Sequence, residues 1–97
     1  MSQSIKNIDL TNKSSNLLNW RTMKLLDRPS NYGWAEEAYD SNNNVLFELY
    51  YDNDKSITIL YDKTEDIKYS LPNGQKSKGY VLAFKLNNLR LSKIKHI

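Results

Sequence analysis

Acidic residues at short spacing are the first groups in this 97-residue chain that could do chemistry. The run Asp52-Asn53-Asp54 begins like a calcium-binding loop, because oxygen ligands recur at every second position. Such a loop needs glycine at its sixth place and glutamate at its twelfth, and this chain has Ile57 and Lys63 there. A polar hairpin turn is the better interpretation. The sequence therefore predicts no metal site and no cofactor.

The adjacent carboxylates and the single histidine do not form a catalytic pattern. Glu36 and Glu37 are neighbours, so that on a strand they point to opposite faces of the sheet. Glu65 and Asp66 fall in a predicted turn, and His96 has no cysteine or carboxylate close to it in sequence. General acid–base catalysis needs several convergent groups. The sequence predicts that the protein is not an enzyme.

A short basic and aromatic run begins like the RNA-stacking strand of an RNA-recognition motif. Lys78, Gly79 and Tyr80 match its first three places, but Leu82 and Lys85 stand where the motif has aromatic residues. That fold would require strands and helices to alternate around the run, and the sequence shows no such alternation. The sequence therefore predicts that the aromatic residues of this segment belong to the core.

Charge is sorted along the chain, and this sorting carries the functional prediction. Residues 36–66 hold nine acids and two lysines, whereas residues 67–97 hold seven bases and no acid. Residues 1–35 add five bases and two acids, which gives the net charge of +3. A dipolar surface of this kind suits docking onto a partner. Opposite charges that meet across neighbouring strands would neutralise each other and account for part of the pattern.

The elements that must position these charges have mostly the period of a strand. Alternating apolar residues predict five strands, of which one begins at Trp34 and the others span residues 45–51, 57–61, 67–71 and 80–86. Breaks rich in Asn, Asp, Pro and Gly predict tight turns at residues 41–44, 52–55 and 72–74. Linkers this short join antiparallel neighbours. The predicted fold is mainly β (β-rich α+β), an up-and-down antiparallel meander that forms a sheet or a small open barrel.

The two ends of the chain are less regular. Residues 1–15 are predicted to be a polar tether, and residues 16–97 a single domain. A short N-terminal helix is predicted over residues 16–27, with a strand as the open alternative. Residues 87–97 fit an edge strand or a helix. Their apolar side chains predict a segment that packs on its own sheet or across a two-fold dimer contact.

The leading functional hypothesis is a non-enzymatic protein that binds a larger protein partner by stoichiometric contact. An acidic face would meet a basic surface, such as the cleft of a nucleic-acid-binding enzyme, through Glu48, Asp52, Asp54 and Asp62. Leu46 and Tyr50 would supply an apolar anchor, because tyrosine offers a large contact area with a polar tip.

The alternative hypothesis is a weak, sequence-insensitive nucleic-acid-binding module in the basic last third of the chain. The residues that would contact phosphates are Lys76, Lys78, Arg90, Lys93 and Lys95. Nine acids in the neighbouring strands would repel the nucleic-acid backbone, which favours the first hypothesis.

The chain has no cysteine, no apolar run that fits a signal peptide and none that is long enough to cross a bilayer. We therefore expect a cytoplasmic protein without a membrane partner. In size, composition and lack of catalytic motifs it resembles the compact β-rich inhibitors of phages and mobile elements, such as anti-CRISPR proteins, and toxin-immunity proteins. This resemblance implies an inhibitory role and rests on no specific motif.

Overall fold

The structure, a computed structural model, describes residues 18–71 and 75–95. Five strands and one long helix follow one another, namely β1 (Asn19–Thr22), β2 (Tyr32–Tyr39), β3 (Val45–Asp52), β4 (Ile57–Asp62), β5 (Ile67–Leu71) and α1 (Lys76–Lys95). Each strand pairs antiparallel with the next, so the sheet order is β1-β2-β3-β4-β5. The predicted mainly β, up-and-down meander of five strands is confirmed.

Tight turns join the central strands, as the sequence predicts. In the β2–β3 turn Asn43 has a φ of 65°, a left-handed conformation that Asn tolerates well. Asp40 Oδ1 accepts the backbone N–H groups of Asn42 and Asn44, each at 2.9 Å. The hydrogen bonds from Asn44 hold the pKa of Asp40 below its usual value. The predicted turn at residues 72–74 lies outside the described residues.

The predicted N-terminal helix is wrong. The described part of that segment forms β1 and a 3-10 turn over Leu25–Asp27, while residues 16 and 17 lie outside the described part. Trp20 packs against the core from β1, and Arg21 Nε pairs with Glu37 Oε1 of β2 at 2.9 Å. These contacts with β2 favour an extended chain that local sequence does not reveal.

The strand predicted at residues 80–86 is also wrong, because these residues form the middle of α1. The small residues Gly79 and Ala83 are four positions apart, so both face the sheet on a helix. For residues 87–95 the helical alternative is confirmed.

Apolar side chains fill both faces of the sheet. Between the sheet and α1 lie the buried residues Ala38, Phe47, Leu49, Leu60 and Leu71 of the sheet and Ala83 of the helix. On the opposite face lie the buried residues Met23, Ala35, Tyr50 and Ile59. The register explains this division, because Leu49 stands opposite Leu60 and the next pair is Tyr50 with Ile59. Burying a side chain such as Phe47 or Leu49 stabilises the fold by about 1.5–3 kcal/mol.

Candidate functional site

Asp62, predicted to lie on an acidic docking face, is fully buried. Its Oδ1 accepts the backbone N–H groups of Thr64 and Glu65 at 3.1 and 3.4 Å, which holds the β4–β5 turn. Its Oδ2 accepts a hydrogen bond from Arg90 Nη2 of α1 at 2.6 Å. Contrary to the prediction, this carboxylate presents no surface to a partner, because its oxygens are used inside the chain.

Asp52 plays the corresponding part in the β3–β4 turn and is only 3% exposed. Its Oδ1 accepts the backbone N–H groups of Asp54 and Lys55 at 2.9 and 3.2 Å. Burial tends to raise the pKa of Asp52, but hydrogen bonds from Asn31, Lys55 and Asp54 outweigh burial and lower it. This residue, too, is a turn-holding group and not a docking group.

The two remaining acids of the predicted face do not lie together with these. Glu48 is half-buried on the face opposite α1, where Oε1 accepts the Tyr32 hydroxyl at 2.8 Å. Its Oε2 lies 3.6 Å from Lys63 Nζ. Asp54 is exposed at the tip of the β3–β4 turn. Since Asp62 faces the helix and Glu48 faces away from it, the four acids do not make one surface.

The predicted apolar anchor lies inside the molecule. Tyr50 is 1% exposed and stacks on the Tyr32 ring with the centroids 3.6 Å apart. Burial, together with the hydrogen bond to Glu48, raises the pKa of Tyr32. Leu46 is half-buried and packs against the core cluster under α1. Tyr50 therefore stabilises the second face of the sheet and offers no area to a partner.

Two of the predicted phosphate-contacting residues are held by the sheet. Lys76 Nζ lies 3.1 Å from Glu36 Oε2, and Arg90 Nη2 lies 2.6 Å from Asp62 Oδ2. Lys78 is exposed. Lys93 and Lys95 belong to α1, but their side chains lie outside the described residues.

The sorting of charge along the chain has an internal explanation. The basic helix lies on the acidic sheet, and ion pairs fix it near both ends. Near its start, Glu36 forms an ion pair with Lys76 and accepts a hydrogen bond from the Tyr80 hydroxyl at 2.7 Å. Burial and the bond to Glu36 raise the pKa of Tyr80 to about 12. Near its end, Arg90 bridges Asp62 and Glu65, the latter at 3.2 Å.

The side of α1 that faces the sheet combines small and polar residues with the half-buried Tyr80 and Leu86. We call it the inner face, and it consists of Lys76, Gly79, Tyr80, Ala83, Leu86, Asn87 and Arg90. A Cβ atom at Gly79 would overlap the Leu49 side chain, so the helix approaches β3 closely at this point. Ala83 and Asn87, one and two turns further along, are also buried.

The opposite side of α1 carries the exposed apolar residues. We call it the outer face, and it consists of Ser77, Lys78, Val81, Phe84, Lys85, Asn88, Leu89 and Ser92. The exposed fractions are 52% for Val81, 38% for Phe84 and 60% for Leu89. Open grooves of about 290 and 350 Å³ lie along it on either side of Lys85. Among the described residues, no acidic side chain pairs with Lys78 or Lys85.

Sequence reasoning missed the outer face because it placed Phe84 in a strand facing the core. The signal that identifies it is that Phe84 and Lys85 follow Val81 by three and four positions and precede Asn88 by four and three, as on one side of a helix.

A second exposed apolar feature lies in the connection between β1 and β2. Leu25 and Leu26 of the 3-10 turn are 79% and 98% exposed. The turn is nevertheless well held, since Arg28 donates to the carbonyl oxygens of Met23 and Gly33 at 2.9 and 3.0 Å. The two leucines are more exposed than Val81, Phe84 or Leu89, but they are neighbours on one short turn, whereas the outer face extends along several turns of α1.

No known protein family matches this sequence, and no curated protein or solved structure matches it. Within residues 18–71 and 75–95, no helix is long and apolar enough to cross a membrane. In the same part of the chain no three His, Cys, Asp or Glu side chains come together as a metal site would require. Any functional assignment therefore depends on the surface of the molecule itself.

Proposed function

We propose that this chain is a small non-enzymatic binding protein that acts by stoichiometric contact with a larger protein, and that the outer face of α1 is its docking surface. The observation that carries the proposal is the exposure of Val81, Phe84 and Leu89 on one side of an ordered helix. Contiguous exposed apolar residues rimmed by polar ones are typical of protein-binding sites.

The outer face is also rigid enough to bind without much loss of entropy. Contacts of Glu36 and of Asp62 hold α1 near both ends, and close packing on Leu49 fixes its distance from the sheet. A surface that is already in its bound conformation avoids most of the ordering cost of association.

The fate of the acidic residues supports a non-enzymatic role. Asp52 and Asp62 hold turns, and Glu36 binds the helix, so these three carboxylates are occupied by structural hydrogen bonds. Stoichiometric inhibition, as in the inhibitors of phages and mobile elements, is one role that a small docking surface of this kind suits.

Photo-crosslinking in cells of the source organism tests the proposal. Phe84 is replaced by p-benzoylphenylalanine, and the matched control carries the same probe at Lys55, which is exposed in the β3–β4 turn. We expect a discrete adduct of one partner molecule at position 84 and none at position 55. The adduct should vanish when Val81→Glu and Leu89→Glu are combined with the probe.

The outcome separates this proposal from its alternatives. An adduct that nuclease digestion removes would favour the nucleic-acid-binding alternative. Equal adducts at both positions, or none at position 84, would contradict docking through the outer face.

A further inference from the structure

We propose that the outer face of α1 receives an acidic amphipathic helix of the protein partner. This inference rests on the proposed function and names the chemistry of the occupant. The outer face offers side chains alone, because the backbone N–H and C=O groups in the middle of a helix bond to one another. A partner segment must then satisfy its own backbone groups, and a helix does so within itself.

The charge of the outer face indicates the charge that the partner helix should carry. α1 contains six basic residues and no acid. Its inner-face bases Lys76 and Arg90 are neutralised by the sheet, whereas Lys78 and Lys85 on the outer face have no acidic partner among the described residues. Carboxylates opposite these two lysines would complete the pattern that the sheet already shows on the inner face.

The same charges argue against the two other occupants. A second copy of the chain, docked through its own outer face, would place Lys78 and Lys85 against the same two lysines, with no acid on either helix to pair with them. Nucleic acid would meet the two free lysines but would leave Val81 and Leu89 without apolar contact. A partner with acids outside and apolar residues inside satisfies both kinds of group.

Spacing makes the inference specific. Lys78 and Lys85 are seven residues apart, which is two helical turns or about 10.5 Å along the axis. Val81 lies between them on the same side, and Leu89 lies one turn beyond Lys85. The partner helix should carry acids seven residues apart, with apolar residues three or four positions from each acid.

Designed peptides test this without knowledge of the natural partner. The probe is a 21-residue peptide with about three heptads of leucine and glutamate in the predicted pattern. One control peptide has lysine in place of each glutamate, and another has the same composition in an order that destroys the apolar stripe. Each peptide is titrated into the isotope-labelled full chain, and amide NMR shifts report the site and the affinity.

We expect saturable shifts at Val81, Phe84 and Leu89 with the acidic amphipathic peptide alone. Lys78→Glu combined with Lys85→Glu should weaken its binding about tenfold and should create binding of the lysine peptide. The matched control, Lys24→Glu with Lys55→Glu, changes two exposed lysines elsewhere and should leave both affinities unchanged. All these positions are exposed, so the spectra of the free variants should retain the folded pattern.

Several results would overturn the inference. If the reordered acidic peptide binds as tightly as the acidic amphipathic peptide, charge alone determines binding. If the lysine peptide binds as tightly, charge does not contribute to binding. Tighter binding of a single-stranded oligonucleotide at the same amides would assign the face to nucleic acid. If no peptide binds but photo-crosslinking at Phe84 still gives a discrete protein adduct, the acidic helix is wrong while the proposed function stands.

Discussion

The inner and outer faces of α1 depart from the usual arrangement of an amphipathic helix. Glycine, alanine and asparagine are buried at positions 79, 83 and 87, whereas Val81, Phe84 and Leu89 are exposed. At Gly79 close approach to the sheet excludes a larger side chain, and charge contacts near the ends hold the helix in place. Among the described residues, neither apolar cluster includes Val81, Phe84 or Leu89, and exposed apolar residues of this kind are typical of contact with another molecule.

The largest change in stability should come from overpacking the inner face. Gly79→Val should lower the free energy of unfolding by about 3 kcal/mol, because its side chain would overlap the buried Leu49. Val81→Leu, which adds one carbon atom two positions away on the outer face, should change stability by less than about 0.5 kcal/mol. Urea unfolding measures both. Equal stability of the two variants would mean that α1 does not pack tightly on β3.

The next effect concerns the ion pair that holds the end of the inner face. Arg90→Met should lower the free energy of unfolding by about 2 kcal/mol, since it leaves the buried Asp62 carboxylate without its cation. The loss should be smaller than for a fully buried pair, because Asp62 keeps two backbone hydrogen bonds.

The matched control for that variant is Lys85→Met, which removes an exposed base of the outer face and should change stability by less than about 0.5 kcal/mol. Adding Asp62→Asn to Arg90→Met should recover part of the loss, because the amide oxygen can still accept the turn hydrogen bonds. If Arg90→Met is as stable as the wild type, the ion pair does not anchor the helix.

A smaller effect should appear with pH in the turn that Asp52 holds. Since the pKa of Asp52 is lower in the folded chain, its stabilisation is present above about pH 4 and is lost as the pH falls through the folded pKa. Asp52→Asn should therefore flatten the stability curve below about pH 4. Asp54→Asn in the exposed tip of the same turn is the control. Thermal unfolding at pH 7 and pH 3 measures this difference. If Asp52→Asn loses as much stability at pH 3 as the wild type, the acid sensitivity comes from other residues.

The sequence predicts the central part of the fold well, because its signals there are local. Alternating apolar residues and Asn- or Asp-rich breaks define β3, β4 and β5, and the strand from Trp34 corresponds to β2. The helix is missed because Tyr80, Leu82, Phe84 and Leu86 also alternate, which mimics a strand. A strand at β1 is predicted only as the alternative to a helix, because its pairing with β2 and not its local sequence makes it a strand.

The candidate site was harder to predict than the fold. The sorting of acids and bases is visible in the sequence. That these charges pair within the molecule depends on the helix, which brings Arg90 to Asp62, 28 residues away in sequence. The docking surface could be identified only once that helix was placed, since residues such as Phe84 and Leu89 are equally suited to a core.

The smallest effect on stability should coincide with the largest effect on binding. Val81→Ser combined with Leu89→Ser should change the free energy of unfolding by less than about 0.5 kcal/mol, because both side chains are already exposed. The same pair should abolish the crosslinked adduct at position 84. Leu25→Ser with Leu26→Ser is the control, since it removes an even more exposed apolar pair on the β1–β2 turn. It should change neither stability nor crosslinking, and loss of the adduct in this control would place the docking surface on that turn instead of the helix.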